Sequence, residues 1–303
     1  MRVIITGGTG LVGRALAASL VTDGHEVIVL SRTPERFSRL LKGVRLAGWD
    51  GRTSKSWGRL ADGSDAIVNL AGEPIGARWT ADRKRRILES RLYAGQAVVQ
   101  AVEQSSVKPR VVVQASGVGY YGPRGGTKLT EDDPAGSDWA AQVAVRWEAA
   151  TQPVEEMGVR RVVIRSGVVL STEGGALPRI ALPFRFFVGG PLGNGRQWLS
   201  WIHIADEVAA IRFLIENEAA RGPFNLAAPG AVNNVQFSQA LGRAMRRPAL
   251  VRTPAFALRL LFGEMASTIL EGQRAVPSKL DSLGFRFRFP DIESALAHLF
   301  YNQ

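Results

Sequence analysis

The chain has 303 residues, of which 46% are hydrophobic and 21% charged, a balance that is typical of a folded globular protein and excludes a disordered one. It contains no cysteine, which excludes disulfides and cysteine-ligated metals, and with only three scattered histidines we expect no metal site. No apolar run approaches the roughly 20 residues of a transmembrane helix, so we expect a cytoplasmic protein without a membrane partner.

The net charge is strongly positive, +11, from 38 Lys and Arg against 27 Asp and Glu. Nucleic-acid binding is one explanation, with basic clusters at 83–86 and 243–247 as candidates. No basic run alternates with aromatic side chains that could stack on bases, so we favour solvated helix faces over a nucleic-acid partner. A positive field also suits an anionic cofactor.

A glycine loop lies between a short apolar run at 3–5 and an apolar helical stretch at 11–22. Gly7, Gly10 and Gly13 have a G-x-x-G-x-x-G spacing, which permits a sharp turn and a close approach of phosphates. N–H groups and the dipole at the start of a helix favour a pyrophosphate, although a tight turn without a ligand is the alternative. We therefore predict a dinucleotide site formed by Gly7, Thr9, Gly10, Leu11, Val12 and Gly13.

β-Branched runs alternate with helical stretches through the first three-fifths of the chain. This alternation predicts strands at 3–6, 26–31, 44–49, 66–70, 110–116, 161–169 and 222–227, and helices at 11–22, 80–104 and 139–157. Such a pattern indicates an α/β fold, a doubly wound parallel sheet of the Rossmann type with right-handed crossovers.

The character of the sequence changes after residue 172. A loop-rich region precedes a predicted helix at 204–216, and the tail from residue 234 predicts two or three amphipathic helices. In the tail, alternating Phe and Arg at 284–290 predict a half-buried strand or extended edge, for which we favour packing over an aromatic ligand box. We expect a nucleotide-binding domain at 1–172 plus about 201–230, and a smaller, mostly helical C-terminal substrate lobe at 173–200 plus 231–303.

The end of the second predicted strand distinguishes NAD from NADP. An acidic residue there binds the ribose 2′-hydroxyl of NAD, whereas an arginine suits the 2′-phosphate of NADP. This strand ends in Ser31 and Arg32, and no acid follows before Glu35. A hydroxyl beside a guanidinium is a plausible phosphate clamp, so we predict NADP (NADPH) over NAD, with a solvated arginine as the alternative.

Several motifs together resemble the extended short-chain dehydrogenases/reductases: Thr-Gly-Gly-Thr-Gly-Leu-Val-Gly at 6–13, Asn-Leu-Ala-Gly at 69–72, Ser116, and Trp-Ile-His-Ile-Ala-Asp at 201–206. The chain is more narrowly similar to the NAD-dependent epimerase/dehydratase-like (SDR39U1-type) family. This narrower similarity rests on the segments 49–50, 71–75, 116–122, 146–148 and 253–258 and on Arg91. The resemblance covers nearly the whole chain and implies a small C-terminal domain.

The resemblance also implies further cofactor contacts. The segment at 69–72 corresponds to a family motif that stabilises the sheet and lines the ribose on the nicotinamide side. For Arg165, a contact with cofactor or substrate competes with an ion pair at the end of the sheet. The cofactor-binding residues that we predict beyond the glycine loop, Ser31 and Arg32 are Asp50, Leu70, Ala71, Gly72, Arg91, Ser116, Arg165, Ser166 and Gly167.

One family feature is missing. Typical members carry Tyr-x-x-x-Lys on the helix after the fifth strand, where the lysine lowers the tyrosine pKa for proton transfer. The aligned positions here are Val143 and Trp147, and neither side chain can transfer a proton. None of the chain's four tyrosines is followed four residues later by lysine: Tyr93, Tyr120, Tyr121 and Tyr301.

Other residues are candidates for catalysis. Ser116 matches the family's serine, whose hydroxyl orients a substrate carbonyl, and Tyr120 and Tyr121 follow it at the carboxyl end of the sheet. For both tyrosines, a packed loop with a hydrogen-bonded hydroxyl is an equal alternative. For the acids at 131–133 we favour a solvated loop tip over a general base, and for His203 a structural role over catalysis.

Two functions follow from this sequence. The first is an NADP-dependent oxidoreductase or epimerase-like enzyme with an unknown small-molecule substrate and altered proton chemistry. The second is a non-catalytic NADP(H)-binding or sensor protein that acts through a protein partner, with the link to cell or plastid division that the resemblance implies. We also expect a possible homodimer through the helices at 80–104 and 139–157.

Overall fold

The computed structural model describes residues 1–37 and 43–301. Its strands are β1 (Arg2–Thr6), β2 (Glu26–Ser31), β3 (Arg45–Gly48), β4 (Ala66–Asn69), β5 (Val111–Gly117), β6 (Lys128–Leu129), β7 (Arg160–Ser166), β8 (Val168–Leu170), β9 (Trp198–Leu199), β10 (Trp201–His203), β11 (Gly222–Leu226), β12 (Val232–Asn233) and β13 (Arg274–Ala275). Its α-helices are α1 (Leu11–Thr22), α2 (Ala81–Gln104), α3 (Trp139–Ala149), α4 (Leu177–Arg185), α5 (Ile204–Glu216), α6 (Asn234–Met245), α7 (Ala255–Phe262), α8 (Ala266–Leu270), α9 (Ser278–Ser282) and α10 (Ile292–Tyr301).

A seven-stranded parallel sheet forms the centre, in the order β11-β7-β5-β4-β1-β2-β3. Its strands are almost wholly buried because helices cover both faces, and this explains why they read as continuous β-branched runs. The predicted doubly wound Rossmann-type sheet is confirmed, and the carboxyl ends of its strands meet along one edge.

The three largest apolar clusters of the described residues form most of the core. One lies between the sheet and helices α1 and α5, and another lies between the opposite face and α2. The third joins β8, β10, α4, α6 and α10 and forms the interior of the smaller lobe. In the described part of the chain, no helix is long and apolar enough to cross a membrane.

Some elements differ from the predictions. The strand expected at 161–169 is two strands that break at Gly167, where a Cβ atom would lie 2.7 Å from the Ser200 carbonyl oxygen. After this break β8 leaves the sheet and pairs with β10. The helix expected at 139–157 ends at Ala149, because Pro153 follows in a short 3-10 turn.

The C-terminal tail contains more helices than predicted, α6 to α10, of which α8 and α9 have only five residues each. The Phe-rich segment 284–290 is assigned to no strand in the described structure, so the expected strand is wrong. Its backbone N–H groups at Arg288 and Phe289 instead donate to the Asp206 carboxylate at 2.8 and 2.9 Å. Phe285 and Phe289 are buried, in agreement with the favoured packing role.

Candidate functional site

A cleft of about 500 Å³ opens at the carboxyl ends of β1 to β4, where ligands bind in sheets of this type. Nine of the predicted cofactor residues line this cleft: Gly7, Thr9, Gly10, Ser31, Arg32, Asp50, Leu70, Ala71 and Gly72. The other eight do not line it: Leu11, Val12, Gly13, Arg91, Ser116, Arg165, Ser166 and Gly167.

The glycine loop forms the floor of the cleft. Gly7 has φ +66°, and a Cβ atom on it would lie 2.7 Å from the Leu70 carbonyl carbon. A Cβ atom on Gly13 would lie 2.5 Å from the Gly8 Cα atom. Gly10, the N-cap of α1, offers no side-chain acceptor, so no capping side chain competes with an anion for the first-turn N–H groups. The loop therefore fits a dinucleotide pyrophosphate.

Polar groups at the end of β2 form one side of the cleft. The Ser31 hydroxyl oxygen accepts a hydrogen bond from the Thr33 backbone N–H at 3.1 Å. The Arg32 side chain lies over Gly51, with its Cδ atom 3.6 Å from the position that a Cβ atom would occupy there. Ser31 and Arg32 thus both line the cleft.

Asp50 organises the neighbouring turn instead of presenting a free carboxylate. Its oxygens accept hydrogen bonds from the Arg52 and Thr53 backbone N–H groups and from the Thr53 hydroxyl, each at 2.8 Å. Burial opposes ionisation, but these hydrogen bonds outweigh it and lower the pKa of Asp50. The turn brings Arg52 to the cleft, where its guanidinium lies 5.2 Å from the ring centre of Tyr93.

The segment after β4 is held by a chain of hydrogen bonds across the sheet. The Thr6 hydroxyl donates to the Asn69 side-chain oxygen at 2.6 Å, and the Asn69 amide donates to Gln114 at 2.8 Å. The Ala71 backbone N–H then donates to the Thr6 hydroxyl at 3.2 Å. Asn69 therefore stabilises the sheet and fixes the wall of the cleft that Ala71 forms.

Arg91 is a buried cation behind this wall. Its guanidinium donates to the carbonyls of Glu73 and Ile87, each at 3.0 Å, and lies 4.4 Å from the ring centre of Trp147. A Cβ atom on Gly72 would lie 3.1 Å from the Arg91 Cζ atom. Burial lowers the pKa of Arg91 to about 10, so the side chain keeps its charge at neutral pH.

The two positions that the resemblance aligns with the family's tyrosine and lysine are packing positions in this structure. Val143 belongs to an apolar cluster with Trp79, Ile87 and Met265. Trp147 stacks on Arg91. A tyrosine and a lysine are replaced by an apolar contact and a cation–π contact, so neither position offers a proton donor.

Ser116 belongs to a polar network that the prediction covered only in part. Its hydroxyl donates to the Glu148 carboxylate at 2.7 Å. Arg165 binds both oxygens of the same carboxylate, at 2.9 and 3.0 Å. Burial opposes the charge on Arg165, but the bonds to Glu148 outweigh it and raise the Arg165 pKa. Arg165 therefore forms an ion pair at the end of the sheet, which was the alternative to a contact with cofactor or substrate.

The two candidate tyrosines differ in accessibility. Tyr121 is 0% exposed, and its hydroxyl donates to the Asn225 side chain at 2.7 Å and accepts from Arg165 at 3.1 Å. Burial raises the pKa of Tyr121 to about 12. This phenol cannot reach a substrate in the described geometry, because its partners enclose it. Tyr120 is half-buried, with its ring 3.4 Å below the Arg165 guanidinium carbon.

Ser166 and Gly167 lie beside a buried acid that the sequence did not single out. The Ser166 hydroxyl donates to Glu207 at 2.6 Å, while the other Glu207 oxygen has no partner among the described residues. Glu207 is 1% exposed, and burial raises its pKa to about 8. The Ser166 hydroxyl is thus engaged within the protein.

Two further candidates have structural roles. Glu131 is buried and accepts hydrogen bonds from the backbone N–H groups of Asn225 and Lys279, so it is not the solvated loop tip that we favoured. His203 is buried, and its Nδ1 atom accepts from the Ala205 N–H at the start of α5. Burial lowers the pKa of His203 to about 4, which agrees with the favoured structural role. The described residues contain no cluster of potential metal ligands.

Comparisons with known proteins agree with this architecture. Residues 3–227 match the NAD dependent epimerase/dehydratase family, and residues 253–299 match a domain of unknown function, DUF1731. The epimerase family protein YfhF of Bacillus subtilis (strain 168) is 39% identical over 300 residues, which cover 99% of this chain and 98% of that protein.

Two solved structures are also similar. One is the crystal structure of human epimerase family protein SDR39U1 (isoform 2) with NADPH. It matches this chain with a TM-score of 0.90 and 34% sequence identity, and the match covers 100% of both chains. A nucleoside-diphosphate sugar epimerase from Corynebacterium glutamicum has a TM-score of 0.79 and 37% identity, over 99% of this chain and 58% of that one. The chain therefore belongs to the NAD dependent epimerase/dehydratase family and carries a C-terminal DUF1731 domain.

Proposed function

We propose that the chain binds NADP(H) and acts as an oxidoreductase or epimerase-like enzyme on a small molecule. The observation that carries the cofactor assignment is the Ser31–Arg32 pair at the rim of the cleft, where an acid specific for NAD would otherwise stand. The human relative with NADPH supports the same cofactor. Arg52, which also lines the cleft, adds a second positive charge for a 2′-phosphate.

We assign the proton chemistry to the Ser116 network. A bound nicotinamide would supply or accept the hydride. Ser116 donates its hydrogen to Glu148, which leaves the serine oxygen free to accept the proton of a substrate hydroxyl while its own proton passes to the carboxylate. Arg165 orients that carboxylate through two hydrogen bonds. We further propose that Tyr120, which is half-buried, is the tyrosine that contacts the substrate, and that Tyr121, whose hydroxyl bonds Asn225 and Arg165, has a structural role.

Cofactor preference tests the first part of the proposal. Arg32→Ala removes a charge-assisted bond worth about 1.5–3 kcal/mol, so we expect roughly 10- to 100-fold weaker NADPH binding with NADH binding unchanged. Titration of nicotinamide fluorescence measures both affinities. Arg45→Ala, an exposed arginine outside the cleft, is the matched control. An unchanged NADPH/NADH ratio in Arg32→Ala would show that the assignment is wrong.

Turnover tests the second part. A panel of carbonyl compounds and nucleotide sugars is assayed by NADPH oxidation. Ser116→Ala is expected to lose at least about 100-fold in turnover, the scale of a positioned proton-transfer group, with NADPH affinity preserved. Tyr121→Phe is expected to change turnover far less, because its hydroxyl is enclosed.

A non-catalytic NADP(H)-binding role is the second candidate. It is favoured by one specific observation, that both dyad positions are filled by packing side chains, Val143 and Trp147. Tight NADPH binding without turnover on any member of the panel would support this role. The protein would then act through a partner that senses cofactor occupancy.

The remaining expectations concern partners and location. In the basic cluster at 83–86, Lys84 binds Glu264, while Arg85 and Arg86 both bind Asp82. These pairings favour our proposal that this cluster binds no nucleic acid. We also propose a cytoplasmic location and, as a possibility for light scattering to test, a homodimer through α2 and α3.

A further inference from the structure

The smaller lobe exposes an unusual number of large apolar side chains. Nine of them have between 48% and 84% of their surface exposed: Leu182, Phe186, Phe187, Val188, Leu250, Val251, Phe256, Leu260 and Leu261. Single exposed apolar residues are ordinary, whereas grouped ones indicate an interaction surface. They come from two segments of the chain, 182–188 and 250–261.

These two segments lie side by side. The Val251 N–H donates to the Gly189 carbonyl at 3.1 Å, and the Thr253 N–H donates to the Pro191 carbonyl at 3.0 Å. The Arg247 guanidinium covers the ring of Phe187 at 4.6 Å. We call the surface formed by residues 182–188 and 246–261 the apolar–arginine face.

Helices α4 and α7, which carry part of this face, both form hydrogen bonds with the loop at 76–78. Arg179, on α4, donates to the Gly76 carbonyl at 3.0 Å. Arg78, two residues further along, donates to the Leu260 carbonyl on α7 at 3.1 Å. Helices α4 and α7 therefore both contact the short segment 76–78 and lie near each other.

The charged side chains of the two chain segments that form this face have one sign. The segments 174–205 and 231–263 contain no Asp or Glu but hold eight arginines: Arg179, Arg185, Arg196, Arg243, Arg246, Arg247, Arg252 and Arg259. Arg243 pairs with Glu293, and among the described residues no ion pair involves the other seven. The apolar side chains are thus accompanied by uncompensated positive charge.

We propose that the apolar–arginine face docks on the surface of an anionic lipid bilayer. Phe and Leu side chains enter the boundary between headgroups and acyl chains, while guanidinium groups bind lipid phosphates. A nucleic acid would satisfy the arginines but leave the apolar side chains in water. A second copy of the face would bring arginines against arginines. This proposal departs from the sequence-based expectation of no membrane partner, which rested on the absence of a spanning segment, because surface docking requires no such segment.

Vesicle flotation tests the proposal with the full chain. The probes are vesicles of phosphatidylcholine alone and vesicles with phosphatidylglycerol in equal parts. We expect at least tenfold stronger binding to the anionic vesicles, weakened by high salt because surface charges are screened. The double variants Phe186→Ser/Leu260→Ser and Arg185→Glu/Arg259→Glu are each expected to lose at least tenfold. All four side chains are exposed, so folding and NADPH binding should not change.

Matched controls separate this surface from general effects. Val107→Ser replaces an exposed apolar residue outside the apolar–arginine face and is the control for the Ser variant. Lys55→Glu replaces an exposed cation outside the face by an anion, as each site of the Glu variant does, and is the control for that variant. Both are expected to bind vesicles like the parent protein. The proposal is overturned if the parent ignores anionic vesicles, binds neutral ones equally, or retains binding in both double variants. It is also overturned if the double variants abolish duplex DNA binding or dimerisation and leave vesicle binding unchanged.

Discussion

Glu207→Gln should flatten the dependence of stability on pH. An unfolded glutamate loses its proton near pH 4.5, whereas the buried Glu207 keeps it until about pH 8. Unfolding therefore releases a proton between these values, and the free energy of unfolding falls by about 1.4 kcal/mol per pH unit from this group. This loss in the free energy of unfolding reaches roughly 3 kcal/mol near pH 7 and levels off above the pKa of Glu207 in the folded protein. Glutamine keeps the Ser166 contact and cannot ionise.

Urea denaturation at several pH values between 4 and 9 measures this effect. Between acidic pH and pH 7, the free energy of unfolding of the parent protein should fall by about 3 kcal/mol more than that of the Gln variant. Comparing each protein with itself removes any fixed cost of the substitution. Glu156→Gln, at an exposed position, is the control and should run parallel to the parent. If the free energy of unfolding depends on pH in the same way in the parent and in Glu207→Gln, then burial does not hold a proton on Glu207.

Three other substitutions test the architecture of the site. Gly7→Ala should abolish NADPH binding in the fluorescence titration, because its Cβ atom meets backbone at 2.7 Å, whereas Gly24→Ala, also at positive φ but in open space, should retain binding. Arg165→Met leaves the largely buried Glu148 carboxylate without its cation and should lower the free energy of unfolding, measured by urea denaturation, by about 3–5 kcal/mol; a loss below about 1 kcal/mol would be the contrary result. Trp147→Phe should be about 0.5–2 kcal/mol more stable than Trp147→Leu, since only Phe retains the cation–π contact with Arg91; equal stabilities would argue against that contact.

The sheet and the nucleotide cleft were predictable because their signals are local. The β-branched run at 111–113 is typical of a strand that is buried on both faces of a parallel sheet, as it is here, and the glycine loop adjoins the strand and helix that define it. The break at Gly167 was not predictable, since it is imposed by a backbone approach from Ser200. No residue near Gly167 in the sequence signals that contact.

The Ser116 network, to which we assign the proton chemistry, was harder to predict because its members are distant in sequence. Glu148 lies 32 residues from Ser116, and only the fold brings the two together. Tyr121 is close to Ser116 in sequence, but a 3-10 turn directs it inward to Asn225, 104 residues away. Proximity along the chain could not distinguish Tyr121 from its accessible neighbour Tyr120.

The packing around Val143 limits which side chains positions 143 and 147 can hold. The apolar cluster that contains Val143 includes Met265, from the C-terminal DUF1731 domain. A tyrosine at 143 would need space that this domain fills, and a lysine at 147 would stand beside the charge of Arg91. Introducing a tyrosine and a lysine at these two positions would therefore require remodelling the contact with the C-terminal domain and the surroundings of a buried cation at the same time, so the packing of that domain and the identities of residues 143 and 147 depend on each other.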